Sequence, residues 1–374
     1  MKILLLGEYS NVHWTLAQAL RAMGHTVCVV SNGDFWKDYR RDISLVRKNP
    51  DSKWDGILYW MKVKALLPKL TGYDVVQLIN PMFLELKAQR IEPIYRYLRR
   101  HNGKLFLDAY GMDYYWVHTC TTTRTFRYSD FNIGDRLVTN APALAERKDW
   151  ADDTAKSRLN RYIAQDCDGI VAGMYEYYAC YKPLFPDKTV YIPFPIDAGD
   201  IKPVESYPGG KVNFFIGIQK ARSQYKGTDI LYRALLRLKE NYPNLCEIKK
   251  AESVPFEEYK RLLRHSHVLI DQLYGYSPGM NALLAMSAGQ VVVGGGEPEY
   301  YEMLHEEKMR PIVNVLPDEK DVYDKLEQLL LHPLRIAPMQ EESRRLVLKH
   351  HDPRGVAQQY IDVWKKSIDS DILL

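Results

Sequence analysis

Cysteine is scarce in this 374-residue chain, and the five present (Cys28, Cys120, Cys167, Cys180 and Cys246) are scattered. Their number is odd, none forms a CxxC pair and none has a histidine at zinc spacing, which argues against a disulfide scaffold and a structural zinc site. A reduced, cytoplasmic setting is the expectation. Long hydrophobic runs are lacking too. Ile3–Leu6 is followed at once by Gly7 and Glu8, too short for a signal peptide, and no later stretch approaches the roughly 20 apolar residues of a spanning helix. Any membrane contact is therefore expected to be peripheral, at the inner face of the membrane. Nor does one sign of charge dominate: Lys+Arg total 51 and Asp+Glu 47, so net charge gives no case for nucleic acid as a partner. No short repeat or low-complexity tract appears. Metal-holding DxD patterns are absent where a site would need one. Asp166-Cys167-Asp168 precedes a predicted strand rather than ending it, and Asp369-Ser370-Asp371 lies in the tail. Neither a metal nor any other cofactor is expected.

What is present describes a globular α/β protein, with 46% hydrophobic and 26% charged residues over a length that favours two domains. Lys2–Leu6 reads as a buried strand, Trp14–Met23 as a helix and Val27–Val30 as a second strand, the opening of a parallel sheet. Asp74–Ile79, Lys104–Leu107, Gly169–Ala172 and Thr189–Ile192 continue the strands, with helices at Ile91–Arg99 and Ser157–Ala164. The proline-rich PFPIDAGD and KPVESYPGGK place a linker at about 193–211. The alternation then restarts: strands at Val212–Ile216, Val268–Asp271 and Val291–Val293, helices at Asp229–Glu240, Glu258–Arg264, Ala282–Ala288 and Val322–Leu331. Two doubly wound, Rossmann-like domains follow, at 1–195 and 196–355, with residues 356–374 as a C-terminal helix and tail that can cross back to the first domain. In such sheets ligands sit beyond the carboxyl ends of the strands, so the loops after Leu6, Ile79, Leu107, Ile216, Ile270 and Val293 matter most.

One stretch raises a specific question. PGMNALLAMSAGQVVVGGGEPE (278–299) surrounds a strand with glycines, and a backbone so bare suggests a ligand lying on main-chain N–H groups. A helix packed closely on its sheet is the competing reading. The tract DYYWVHTCTTTRTFRYSDFN (113–132) has no clean periodicity and reads as a long loop offering stacking faces to a sugar, or else as a partly buried insertion. YRYLRR (95–100) reads as a solvated basic face, with contact to an anionic lipid surface as the alternative.

In order and spacing the chain resembles the GT-B glycosyltransferases, in particular retaining family 4 enzymes. The likeness runs from LAQALRAMGHTVCVV through PID, YKGTDILYRAL, VPFEEYKRLLRHSHVLID and LLAMSAG to VVVGGGEPEYY and the final helix Val356–Ser367. It implies a metal-independent transferase with a nucleotide-sugar donor on the second domain and a saccharide or lipid-linked acceptor on the first, in cell-envelope or surface polysaccharide synthesis. In GIQKARSQYKG, which opens at Gly217, Arg222 and Lys226 match the family's diphosphate-gripping Arg and Lys, with Lys220 as a substitute for Arg222. The two family glutamates fall at Tyr276 and Leu284, so both acids are missing, and Asn281 is the polar neighbour that can take over part of their role. Gly279 leaves the following helix N-terminus approachable. Gly295, Gly296 and Glu299, with Glu297 as rival, match the family's GG-x-PE turn. On the acceptor side stand Gly7 and His13 in GEYSNVH; Tyr110 and Asp113 in YGMD, where the family has His-Gly-x-Asp, join Arg222 and Lys226 as the catalytic candidates. The alternatives are a non-catalytic nucleotide-sugar-binding protein, or an epimerase or inverting GT-B relative.

Overall fold

The computed structural model describes residues 1–199, 201–219, 223–252 and 256–372. The first domain is built on strands β1 (Lys2–Leu6), β2 (Thr26–Ser31), β3 (Ile43–Ser44), β4 (Val75–Leu78) and β5 (Lys104–Ala109). A small hairpin of β6 (Asn132–Ile133) and β7 (Arg136–Leu137) follows, then β8 (Gly169–Ala172) and β9 (Thr189–Tyr191). Apart from the hairpin, these form one parallel sheet in the order β3-β2-β1-β4-β5-β8-β9. Runs such as KILLL and VVQL are apolar at nearly every position because helices cover both faces of a parallel sheet.

The second domain carries β10 (Val212–Ile218), β11 (Cys246–Glu252), β12 (Val268–Ile270), β13 (Val291–Gly294) and β14 (Val313–Asn314), all parallel in the order β11-β10-β12-β13-β14. Leu231, Leu235 and Leu238 from helix Thr228–Asn241 pack with Val322, Leu326 and Leu330 from helix Glu319–Leu331 on one face. Helices Met280–Ser287 and Ile336–His350 cover the other, through Ala282, Met286, Leu346 and Val347.

Helix Pro353–Ile372 returns to the first domain. Its Val356, Ala357, Tyr360, Ile361 and Trp364 join Ile3, Leu5, Leu16, Val29, Val75 and Phe106 in one cluster, and the Trp364 indole N–H donates to Gln77 at 3.0 Å. The chain therefore crosses between domains twice, once by the 193–211 linker and once ahead of this helix.

Three segments resolve or extend the sequence reading. The tract 113–132 follows its second reading, a partly buried insertion: Tyr114–Thr122 is a helix with Asp113 as its cap, and Tyr115, Trp116, Phe126, Tyr128 and Phe131 are buried. Strand β11, CEIKKAE, is an edge strand whose charged side chains hide it from a hydrophobic pattern. In the YRYLRR helix, Tyr95 donates to Asp166 at 2.7 Å, Arg96 pairs with Glu92 and Arg99 pairs with Asp168. That face is largely neutralised by its own neighbours, and the same contacts occupy both acids of the first DxD pattern.

Candidate active site

A cleft of about 380 Å³ opens between the two sheets at their carboxyl ends. The second domain lines it with Gly217, Ile218 and Gln219 at the end of β10, Lys226 and Thr228 around the start of the next helix, and Tyr259. Asp271 and Gln272 after β12, and Gly279, Met280, Asn281 and Leu284 at the Met280–Ser287 helix, complete that side. From the first domain come Ser10, Trp36, Lys37 and Tyr39. Lys220 and Arg222 lie outside the described residues. Lys226 and Lys37 therefore stand on opposite walls, Lys37 paired with Asp34.

At the floor, three polar side chains form a relay. Tyr259 donates to the Asn281 side-chain oxygen at 2.7 Å, and the Asn281 amide donates to Asp271 at 3.1 Å. Burial pushes the Asp271 carboxyl up, with the Asn281 hydrogen bond and nearby Lys226 pulling it back. Leu284 stands apolar beside this relay, so Asp271 is the acid the cleft offers in the region where the family glutamates are missing.

The glycines separate into two kinds. A Cβ on Gly295 would lie 2.3 Å from the Gly275 carbonyl oxygen, and one on Gly296 2.7 Å from Ile312. These bare positions let the 272–276 loop and Ile312 press on the backbone, so the packing reading of VVVGGG holds here. Gly217 is bare because the Tyr259 ring lies on it, 2.8 Å from where its Cβ would be. At Gly279 the nearest atom to such a Cβ is the Gln272 amide at 3.6 Å, ordinary contact, and its φ of −75° suits any residue. No side chain caps the helix that follows, which leaves its first N–H groups facing the cleft. Gly289 is equally open but needs glycine for its φ of +81°, so Gly279 is a glycine that neither packing nor backbone conformation requires.

Glu299 and Tyr276 serve a different purpose from donor contact. Arg127 of the first domain holds Glu299 in a bidentate ion pair, at 2.5 and 3.2 Å, and reaches Glu297 at 3.0 Å. Tyr128 donates to the same Glu297. The Tyr276 hydroxyl accepts the Arg127 backbone N–H at 2.6 Å, and the guanidinium stacks on its ring. Buried Glu176 adds a second tie by accepting the N–H groups of Tyr276 and Ser277. Together these contacts clasp the domains on one side of the cleft. Arg127→Ala is expected to loosen the clasp and increase protease sensitivity of the interdomain linker, read by limited proteolysis; unchanged cleavage would show that Glu176 alone suffices.

The acceptor-side candidates lie beneath the cleft. His13 is fully buried, with Nδ1 2.8 Å from the Gly7 carbonyl and Nε2 3.0 Å from Asp108. Both ring nitrogens thus face oxygens, an arrangement that suits the imidazolium. Burial lowers the His13 pKa, yet Asp108 and Glu8 reverse this and hold it above its ordinary value. Gly7, at φ +86°, makes the turn that aims its carbonyl there. Tyr110 meets the Tyr360 hydroxyl at 2.7 Å, and Tyr360 donates to Asp108 at 3.0 Å. Asp113 accepts from the Trp116 N–H at 2.8 Å and the Tyr181 hydroxyl at 2.6 Å, and burial pushes its carboxyl up to about 6. His13, Tyr110 and Asp113 are all buried, bonded to internal partners and absent from the lining of the cleft.

These groups give stability a definite pH dependence. Burial pushes the Glu8 carboxyl up to about 7, so the folded protein holds a proton that the unfolded chain releases near 4.5. Stability from this group is full below the unfolded value and falls as pH rises to about 7; Asp113 and His13 act in the same direction. The melting temperature is expected to fall between pH 5 and pH 8, and Glu8→Gln to flatten that slope in thermal unfolding. Buried His351, pushed down to about 4, opposes this trend below about pH 6.5, so the test is the difference: a slope that Glu8→Gln leaves unchanged would contradict the assignment.

Sequence reasoning overlooked Ser10, Trp36, Lys37, Tyr39, Tyr259 and Asp271. The available signal was the loop NGDFWKDY after β2, which sits at a carboxyl strand end like those singled out. Ser10, Asn11, Asp34, Phe35 and Asp38 all have positive φ without being glycine. The Ser10 N–H and the Lys37 ammonium both bond Asp34, at 2.9 and 2.5 Å. Such backbone strain concentrates where a fold positions functional groups.

Comparison with known proteins agrees with this architecture. Residues 218–362 match the family model described as Glycosyl transferase-like. No curated protein matches the chain in sequence. Among solved structures, it is similar to sucrose-phosphate synthase from Thermosynechococcus elongatus (TM-score 0.66, 13% identity, covering 99% of this chain and 100% of that one). It is also similar to Anabaena HepE in complex with UDP-glucose (0.62, 12%, 98% and 100%). A third is UDP-GlcNAc 2-epimerase from Neisseria meningitidis bound to UDP-GlcNAc (0.54, 11%, 98% and 100%). The fold is GT-B, with two facing Rossmann-like domains, and the second domain is glycosyl transferase-like.

Proposed function

We propose that the protein moves a sugar from a nucleotide-diphosphate-sugar to a saccharide or lipid-linked acceptor, without a metal and with retention, at the cytoplasmic side of the membrane. The setting in cell-envelope or surface polysaccharide synthesis rests on the family resemblance. The observation that carries the reading is the interdomain cleft, where Lys226, Asn281 and the uncapped helix at Gly279 face Ser10, Lys37 and Tyr39 across a space of nucleotide-sugar size. Lys226 and that helix N-terminus can neutralise a departing diphosphate. Retention is favoured because the described lining residues include no histidine and one carboxylate, Asp271, which sits on the second-domain side and is bonded to Asn281. A front-face reaction uses the departing phosphate as base and asks for no other.

The test is incubation with a panel of nucleotide-sugars, with and without saccharide acceptors, following nucleotide release. Acceptor-dependent release that survives EDTA is expected. Loss in chelator with recovery in manganese would overturn the metal-free reading, while a C2 epimer without transfer would favour the chemistry named for the Neisseria relative. Asn281→Ala is expected to weaken donor binding roughly tenfold by removing one charge-assisted hydrogen bond to Asp271. It should also reduce discrimination between a nucleotide and its 2′-deoxy and 3′-deoxy forms in calorimetry; undiminished discrimination would assign the ribose to another residue.

A further inference from the structure

Helix Lys53–Leu66 is apolar around most of its circumference, although only one side of it is packed. Tyr59 and Val63 face the core, whereas Trp54 (78% exposed), Leu58 (62%), Met61 (61%) and Ile57 face outward. The spacing 54, 57, 58, 61 is one helical face. The patch continues beyond the helix. Phe35 lines a small pocket together with Tyr59 and Leu45, and Lys62 reaches the Ser44 carbonyl at 2.7 Å, which sets the Ile43–Val46 strip along the helix. Exposed Phe35, Trp36 and Val46 therefore belong to the same surface. An apolar face of this extent on an otherwise well-packed protein marks a contact.

We propose that this face docks on an anionic lipid bilayer. Two features select lipid over a protein partner. First, the exposed side chains combine tryptophan with long aliphatics, which suit the boundary between headgroups and acyl chains, and exposed Lys48, Lys53 and Lys64 border them. Second, the patch runs into the cleft: Trp36 is exposed and lines it, and the adjoining Lys37 does so too. A bilayer touching Phe35 and Trp54 thus brings the mouth of the cleft to the headgroup level, where a lipid-borne acceptor would be presented. The docking surface stands on these contacts alone; only the choice of a lipid-linked over a soluble acceptor rests on the transferase reading.

The full chain is tested by co-sedimentation with vesicles of phosphatidylcholine, with and without phosphatidylglycerol. Binding should be about tenfold or more stronger to the anionic vesicles and weaken in high salt. Trp54→Ser combined with Leu58→Ser should abolish it, and Lys53→Glu with Lys64→Glu should remove the anionic preference, while nucleotide-sugar binding in solution stays as in the parent. These positions are exposed, so unchanged thermal unfolding is expected to accompany the loss. Binding to neither vesicle, or binding that the serine pair leaves intact, overturns the proposal. A parent that runs as a dimer in light scattering and becomes monomeric in the serine pair would assign the face to a second copy instead. Loss of vesicle binding with nucleotide-sugar binding retained separates failure here from failure of the transferase reading.

Discussion

Asp108→Ala is expected to destabilise the protein by about 3–5 kcal/mol, the cost typical of removing one partner from a buried charged pair. Asp108 is fully buried and receives His13 on one oxygen and Tyr360 on the other. Alanine would strand a buried imidazolium and a hydroxyl, and would also remove one of several links between the first sheet and the C-terminal helix. For a chain of 374 residues the melting temperature should fall by roughly 4–6 °C, measured by calorimetry. The residual activity of the folded fraction, assayed at low temperature, is the sharper readout. If His13 and Tyr110 act only through this network, that fraction should retain donor binding. A variant of parental stability that had lost turnover would return His13 to catalysis.

Lys226→Ala should lower donor affinity and turnover by roughly 10–150-fold, corresponding to the loss of a charge-assisted interaction of about 1.5–3 kcal/mol. Stability should change little, because Lys226 closes a four-residue helix at the cleft edge rather than a core element. If the lysine also grips the diphosphate as it departs, kcat should fall together with affinity, whereas a purely ground-state contact would raise KM alone. Parental kinetics in this variant would remove the phosphate from this wall of the cleft.

The alternation of strand and helix was legible because parallel strands buried on both faces leave continuous apolar runs, as in KILLL and VNFFIGI. Where burial is one-sided the pattern fails, and CEIKKAE at the sheet edge was missed for that reason. Tyr114–Thr122 was read as loop because YYWVHTCTT is rich in aromatic and β-branched residues of low helix propensity. Its helix is stabilised by burial of Tyr115 and Trp116 and by the Asp113 cap, and an aspartate three residues before a buried tryptophan was the local sign. Of the residues lining the cleft, Lys226 was singled out from the family pattern, and Gly279 and Asn281 from their place at the start of a helix. Glu299, Gly295 and Gly296 were assigned to the donor because sequence cannot tell a glycine that admits a ligand from one that admits another backbone. His13, Tyr110 and Asp113 posed the same difficulty, since a polar residue after a strand looks alike whether it faces the cleft or a buried partner.

The C-terminal helix on the first sheet dictates an order of events during synthesis. Ile3, Leu5 and Phe106 leave the ribosome early, yet their covering residues Tyr360 and Trp364 follow the entire second domain. Until then one flank of the first sheet is open to chaperones or to wrong partners, and its closure waits on contacts as far as 250 residues apart in sequence, such as Tyr110 with Tyr360. The second domain, whose helices come from nearby sequence, can mature while the first is still incomplete, so the half of the protein made first is the half finished last.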